Sequence, residues 1–206
     1  QRERVEDELR KAHDELELRV RERTRELTEE ITERKLAEES ALRLAAAIEE
    51  LSEYFVLYDG DDKMVMCNEK FRELNKEIAD MTVPGVSFED HQRALIGNGF
   101  FLGVEGREEE WLQERIERHK NPQGPFEVNR NGMWLLVHEQ PLPAGGTVTI
   151  STDITARKRA EALQRGRNEV LELLATGATL EDILSLLVTT AEEINPDMRG
   201  SVLLLD

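Results

Sequence analysis

The chain has 206 residues, a formal net charge of −17, 34% charged residues and only 5% aromatic ones. That balance excludes a single compact globule, suits a modest core between solvated helices, and argues against nucleic acid or an anionic membrane as a partner. One cysteine, Cys67, excludes an intramolecular disulfide and a cysteine-rich zinc site and fits a reducing cytoplasm; no apolar run approaches the ~20 residues of a membrane span.

Residues 1–50 contain no Gly or Pro and are rich in Glu, Arg, Leu and Ala, all strong helix formers. Their sparse apolar residues recur every eleven positions: Leu9, Val20, Ile31 and Leu42 form one row, Val5, Leu16 and Leu27 another. Eleven residues make about three turns, so the stripe stays nearly straight along the helix. So polar a helix has no core of its own to hold it, and the pattern predicts a coiled coil, residues 1–48, pairing with a second copy. Arg23 and Arg34 on the same stripe weaken the seam, which suits an element that shifts.

After Leu51 the period changes. Two short apolar runs, Tyr54–Tyr58 and Met64–Cys67, are joined by Asp-Gly-Asp-Asp, a hairpin signal in which Gly60 supplies φ > 0. Asn68 caps a helix carrying Phe71 and Leu74. Ser87 with Asp90 opens another that ends at Gly97 and Gly99, and Trp111, Leu112 and Ile116 mark one face of a third before Pro122. Three strands follow: "PFEVNR", a tight turn at Asn131-Gly132, "MWLLVHEQPL", then Gly145-Gly146 and "TVTISTDI". Two strands, several helices and three strands predict an α+β domain at 49–155, with a five-stranded antiparallel sheet and helices on one face. From Thr155 a helix resumes to about 175. Ala156, Ala160, Leu163, Arg167, Val170 and Leu174 form a heptad seam on it. A Gly break, a Thr179 cap, an amphipathic helix to about Ile194 and the apolar run "SVLLLD" complete the sequence. The absence of an initial Met and the apolar ending lead us to expect a piece of a longer protein.

The hairpin ending in "CNEKF", the runs "VPGVSFED" and "EWLQERIERHKNPQGPFE", and "GGTVTISTDIT" opening a helix together resemble the PAS sensor family over residues 47–155. The subtype they are similar to occurs in bacterial sensor histidine kinases and cyclic-di-GMP enzymes. The segment from about Val170, 176–206 above all, resembles the start of a GAF domain, with "SVLLLD" as its first strand. The resemblance implies a non-catalytic sensory and dimerisation module, cytoplasmic, relaying a signal through flanking coiled coils to an output domain. A passive scaffold with a filled core is the alternative.

The residues that would carry the relay are Asp153, Ile154 and Thr155, with Arg157 and Lys158 one turn on. Asp153 can accept from the first amides of the helix and pair with Arg157 or Lys158. No Gly intervenes, so movement of the last strand is felt at the base of the helix. No catalytic constellation appears: His13 lacks the context of a phosphoacceptor histidine, and neither a cyclase signature nor a nucleotide loop is present, so no enzyme is expected within this chain. Cys67 reads as a small buried hydrophobe. His91 and His138 read as surface or hydrogen-bonded histidines rather than haem ligands, so neither haem, flavin nor a metal is expected. Trp111 and Trp134 are expected in the core or at a domain contact. Strand alternation and helix faces predict pocket walls of Leu57, Val65, Phe71, Phe88, Leu95, Phe126 and Leu136, around a small apolar or carboxylate ligand or none.

Overall fold

A computed structural model describes residues 2–101, 103–194 and 199–201. The chain divides after Glu50 into two units, each described by itself. The first is one helix, α1 (Arg2–Glu49). Ion pairs one turn apart, such as Arg19 with Glu15 at 2.8 Å and Arg34 with Glu38 at 3.0 Å, lace its surface. Of the predicted seam residues, Leu16, Val20, Leu27, Ile31 and Leu42 are all exposed. The side chain of Leu9 lies outside those described.

The second unit runs β1 (Tyr54–Tyr58), β2 (Met64–Cys67), α2 (Glu69–Leu74), a 3₁₀ turn (Lys76–Met81), α3 (Phe88–Gly97) and α4 (Glu108–Lys120). It continues with β3 (Phe126–Arg130), β4 (Met133–Pro141), β5 (Thr147–Asp153), α5 (Thr155–Thr176) and α6 (Leu180–Ile194). The five strands form one antiparallel sheet in the order β2-β1-β5-β4-β3. Between them α2, α3 and α4 cover one face. The strand expected at 202–206 lies outside the described residues.

Local chemistry accounts for the turns. Asn131 (φ 49°) and Gly132 (φ 85°) both take the left-handed conformation that a two-residue hairpin between β3 and β4 demands. The β1–β2 hairpin forms by a different device from the one expected. Asp59 Oδ1 accepts from the amides of Asp61 and Lys63, both at 2.9 Å, and the positive φ falls on Asp62 (56°) rather than on Gly60. The loop is longer than two residues, so an Asp side chain folds the backbone and the glycine is spared. Gly146 is different: at φ +88° an added Cβ would sit 2.2 Å from the Tyr58 carbonyl oxygen, so only glycine lets β5 start against β1.

The core lies between the sheet and the helices. Val56, Tyr58, Met64, Cys67, Phe71 and Phe88 form one buried cluster; Ile78, Leu95, Phe101 and Val104 form a second, with Trp111 and Val128 packed on it. Asn68 ties β1 to α2. It is fully buried, its Oδ1 accepts from Phe55 N and from Phe71 N, both at 3.0 Å, and its Nδ2 donates to the Glu53 carbonyl at 2.8 Å. One side chain thus caps the helix and pins the entry to the sheet.

Beyond the sheet, α5 ends at Gly177 in the left-handed conformation, and Thr179 and Asp182 cap α6 reciprocally. The two helices pack on one another where Gly166 meets Thr190, so closely that a Cβ at 166 would lie 2.4 Å from the threonine methyl. Of the α5 heptad seam, Leu163 and Leu174 remain exposed and Val170 is half-buried.

Replacing Asn68 with Ala strands three buried backbone groups at once. The expected loss is about 2–4 kcal/mol, read as a lower urea midpoint with an unchanged slope. A midpoint within error of the parent chain would contradict this role for the side chain.

Candidate functional site: a lined cavity and a strand-to-helix junction

Alternation decides which side chains reach the interior. Val56 and Tyr58 on β1, Phe126, Val128 and Arg130 on β3, Leu135 and Val137 on β4, and Thr149 and Ser151 on β5 point to the helix-covered face. With Phe71, Leu74 and Asn75 below, and Phe88, His91, Gln92, Leu95, Phe101, Trp111 and Arg115 above, they line a cavity of about 80 Å³. Phe71, Phe88, Leu95 and Phe126 of the predicted walls are among them. Leu57 and Leu136 are not: they belong to the opposite sheet face, one residue out of phase. Val65 is the extra residue of a bulge, since Tyr58 faces Met64 while Leu57 faces Met66, and the bulge turns it outward to 46% exposure. His138 shares the outer face and is exposed. Trp134, half-buried there, lies under Lys158, whose Nζ is 5.1 Å from the ring centroid.

One end of the interior is charged and internally paired. The Glu139 carboxylate, 1% exposed, accepts from both terminal nitrogens of Arg115 at 2.6 and 3.1 Å. It also faces His119 Nδ1 at 2.6 Å. A carboxylate only accepts, so Nδ1 carries its proton. Thr149 Oγ1 lies 3.4 Å from the same oxygen. The His119 ring stacks on Phe88 with centroids 3.7 Å apart and meets the edge of Tyr58 at 5.3 Å. Burial works to raise the Glu139 pKa, but the bonds from His119 and Arg115 outweigh it and hold the carboxyl down at about 2.

The other polar groups are less well provided for. His91 was expected at the surface or hydrogen-bonded, yet it is 2% exposed and stacked on Phe71. Neither of its ring nitrogens has a hydrogen-bond partner among the described residues. Burial first, then the nearby Arg130 charge, lower its pKa to about 4, so the ring is neutral at physiological pH. Arg130, 6% exposed, donates to Asn75 Oδ1 at 2.9 Å and to the Leu74 carbonyl at 3.0 Å, and lies over the Phe100 ring. Burial lowers its pKa to about 10.

At the exit of β5 the chain is held on both sides. Ile154, buried, donates its amide to the Trp134 carbonyl at 2.8 Å, carrying the β4–β5 ladder one residue past the strand. Thr155 Oγ1 accepts from Trp134 N at 2.9 Å, and Asp153 Oδ1 accepts from Thr155 N at 2.8 Å. Arg157 and Lys158 do not pair with Asp153, as expected from their spacing. They converge on Glu127 of β3, at 2.9 and 2.5 Å, because α5 leaves along the outer sheet face, where Glu127 projects. Residues from three strands therefore fix the first turn of α5.

Sequence reasoning missed Arg115, His119, Glu139 and Arg130. The first two stand four apart on one face of α4, and Glu139 continues the inward row of Leu135 and Val137. That row was legible once β4 was phased by its apolar residues rather than by Trp134 and His138. Among the described residues no three His, Cys, Asp or Glu side chains gather as metal ligands, and no helix is long and apolar enough to cross a membrane.

A five-stranded antiparallel sheet with its helices on one face, a small lined interior and a helix leaving the last strand define an α+β domain of the sensor type. A family model described as the PAS fold matches residues 48–162, more than half of the chain, and the chain belongs to that family. It is similar, 51% identical over 57 residues, to the methyl sulfide methyltransferase-associated sensor of Methanosarcina acetivorans, covering 28% of this chain and 6% of that protein. It is 28% identical over 145 residues to the non-motile and phage-resistance protein of Caulobacter vibrioides, covering 68% of this chain and 15% of that one. Among solved structures, the PAS domain of an HTR-like protein from Haloarcula marismortui matches at 21% identity and a TM-score of 0.38, covering 59% of this chain and 98% of that one. The chain thus spans only a small part of the curated relatives it matches.

Two acid transitions follow, in separate windows. The His91 pKa falls on folding, so its contribution is full above about 6.5 and is lost as the pH drops toward 4, at ~1.4 kcal/mol per pH unit. Glu139 is also depressed, from 4.5 to about 2, so its contribution holds above pH 4.5 and is lost as the pH falls through 2. Urea unfolding at pH 7, 5.5 and 4.5 is expected to show a slope in the parent chain that His91→Phe removes. An equal slope in both chains contradicts the assignment.

Proposed function

We propose that this chain is a non-catalytic sensory and dimerisation module that passes a change in its sheet to the helix that follows. The observation that carries this reading is the junction, where Trp134 bonds both Ile154 and Thr155 while Glu127 holds Arg157 and Lys158. A shift of β4 or β5 is then transmitted to α5 without slack. In this reading α1 and α5 pair with the same helices of a second copy, as coiled coils. The exposed row Leu16, Val20, Leu27, Ile31 and Leu42 on α1, with Leu163 and Leu174 on α5, supports that pairing. The free energy needed is a few kcal/mol of repacking between two arrangements. Residues 176–206 then open a GAF domain, and the output is a histidine kinase or a cyclic-di-GMP enzyme elsewhere in the parent protein. The protein acts in the cytoplasm, and neither haem nor flavin is its ligand.

A passive scaffold is the second reading. It is favoured by the Arg115–Glu139–His119 cluster, whose buried carboxylate takes its bonds from the chain itself. A thermal-shift screen of small molecules separates the two, because a ligand that binds only the folded state raises the melting temperature.

Light scattering is expected to give a dimer for the whole chain and a smaller species on removal of residues 1–48. A strictly monomeric whole chain overturns the coupling scheme. Combining Asp153→Ala with Thr155→Val is expected to cost about 1–3 kcal/mol, leave the sheet folded, and broaden the spin-label distance distribution between β4 and α5. An unchanged distribution means the junction is not what stiffens the connection.

A further inference from the structure

Two arginines, Arg115 partly exposed and Arg130 buried, line the same cavity, and they are treated differently. Arg115 meets a carboxylate with both terminal nitrogens. Arg130 has only neutral acceptors, Asn75 Oδ1 and the Leu74 carbonyl, and no carboxylate at ion-pair distance among the described residues. A guanidinium carries five N–H donors, and a buried charge without a counter-charge is costly. Beside it, within reach of its field, stands the His91 ring with both nitrogens unpartnered. Buried polar groups left without partners are rare, and here a cation and an imidazole adjoin one void. The lining also holds the polar Gln92 beside His91 and the apolar Phe71, Leu95, Phe101, Trp111 and Val128.

We propose that this cavity binds a one- or two-carbon carboxylate, its oxygens on Arg130 and His91 and its carbon end toward Phe71, Leu95 and Phe101. The carboxylate supplies a counter-charge in direct contact, where the chain offers only the more distant Glu77, and matches the planar guanidinium fork. Neutral His91 donates one N–H to it, and water completes the other nitrogen. Size sets the class. An apolar cavity of ~150 Å³ takes benzene with its six non-hydrogen atoms, so one of about 80 Å³ takes roughly three or four. That is a one- or two-carbon acid, and the space is too small for a nucleotide, a haem or a flavin. The proposal rests on the sensory reading in taking this cavity as the input site. It also offers a mechanical link, because Arg130 closes β3 at the turn into β4, the strand whose Trp134 holds the base of α5.

The test is calorimetric titration of the whole 206-residue chain with sodium acetate. Acetamide, the neutral isostere, and sodium chloride serve as controls. One acetate per chain is expected, with acetamide weaker by at least about tenfold, and with Arg130→Gln losing acetate affinity by a similar factor. Should Arg130→Gln fold poorly, ring-nitrogen NMR shifts of His91 in the unmodified chain give the same answer. They move on adding acetate and stay put on adding chloride. No acetate binding at millimolar concentration, or acetamide matching acetate, overturns the proposal; the latter leaves a sensory cavity standing for neutral ligands. Acetate that binds as expected but leaves the β4–α5 distances unchanged upholds the site and sinks the sensory reading instead.

Discussion

The Glu139 carboxylate is the constraint on which the two layers depend. It sits on the inner face of a central strand, and α4 reaches it with Arg115 and His119. Taking one carboxylate out of water costs several kcal/mol, and the bonds from the helix repay it only because they are short and several. A helix whose one buried apolar residue is Leu112 could slide over a sheet of apolar residues. Arg115 and His119, one turn apart and bound to one carboxylate, set its position along the strand. Phe88 stacked on His119 extends the same restraint to α3.

That arrangement leaves the interior uneven. Near Glu139 the carboxylate is bonded by Arg115 and His119, and His119 Nε2 is left without a hydrogen-bond partner among the described residues. Toward Arg130 and His91 the charges and ring nitrogens outnumber their partners, and the cavity remains. Glu139 gives Arg115 a carboxylate in contact; Arg130 has none at ion-pair distance among the described residues, and the proposed ligand would supply it.

The outer face of the sheet serves the other half of the design. Glu127, Trp134 and Thr152 line the side along which α5 departs. The ladder between β4 and β5 continues through Ile154, so strand and helix share a bonded residue. A Gly or Pro at 154 or 155 would decouple them. The β-branched pair found there keeps the backbone stiff. The inner face faces the cavity and the outer face holds the helix base. On the proposed reading, a change in strand curvature at the inner face is passed to the helix base on the outer face.

Much of this was legible in the sequence, because it depends on neighbours along the chain. The helix starts at Asn68, Ser87 and Thr179, the hairpin at Asn131-Gly132 and the break at Gly177 are local hydrogen-bonding and steric facts. The order of strands and helices follows from their periods. What tertiary structure alone decided is phase and partnership. Leu57 and Leu136 miss the cavity because a strand read one residue out of step turns every side chain over, and Val65 leaves it at a bulge that only pairing with β1 reveals. Glu127 rather than Asp153 receives Arg157 and Lys158 because the direction in which α5 departs is set by the sheet, not by spacing. Glu139 and Arg130, nearly identical in exposure, differ because one faces Arg115 and His119 of α4 and the other borders a void. Sequence determines which residues can be buried or charged; only the packed chain determines which of them meet.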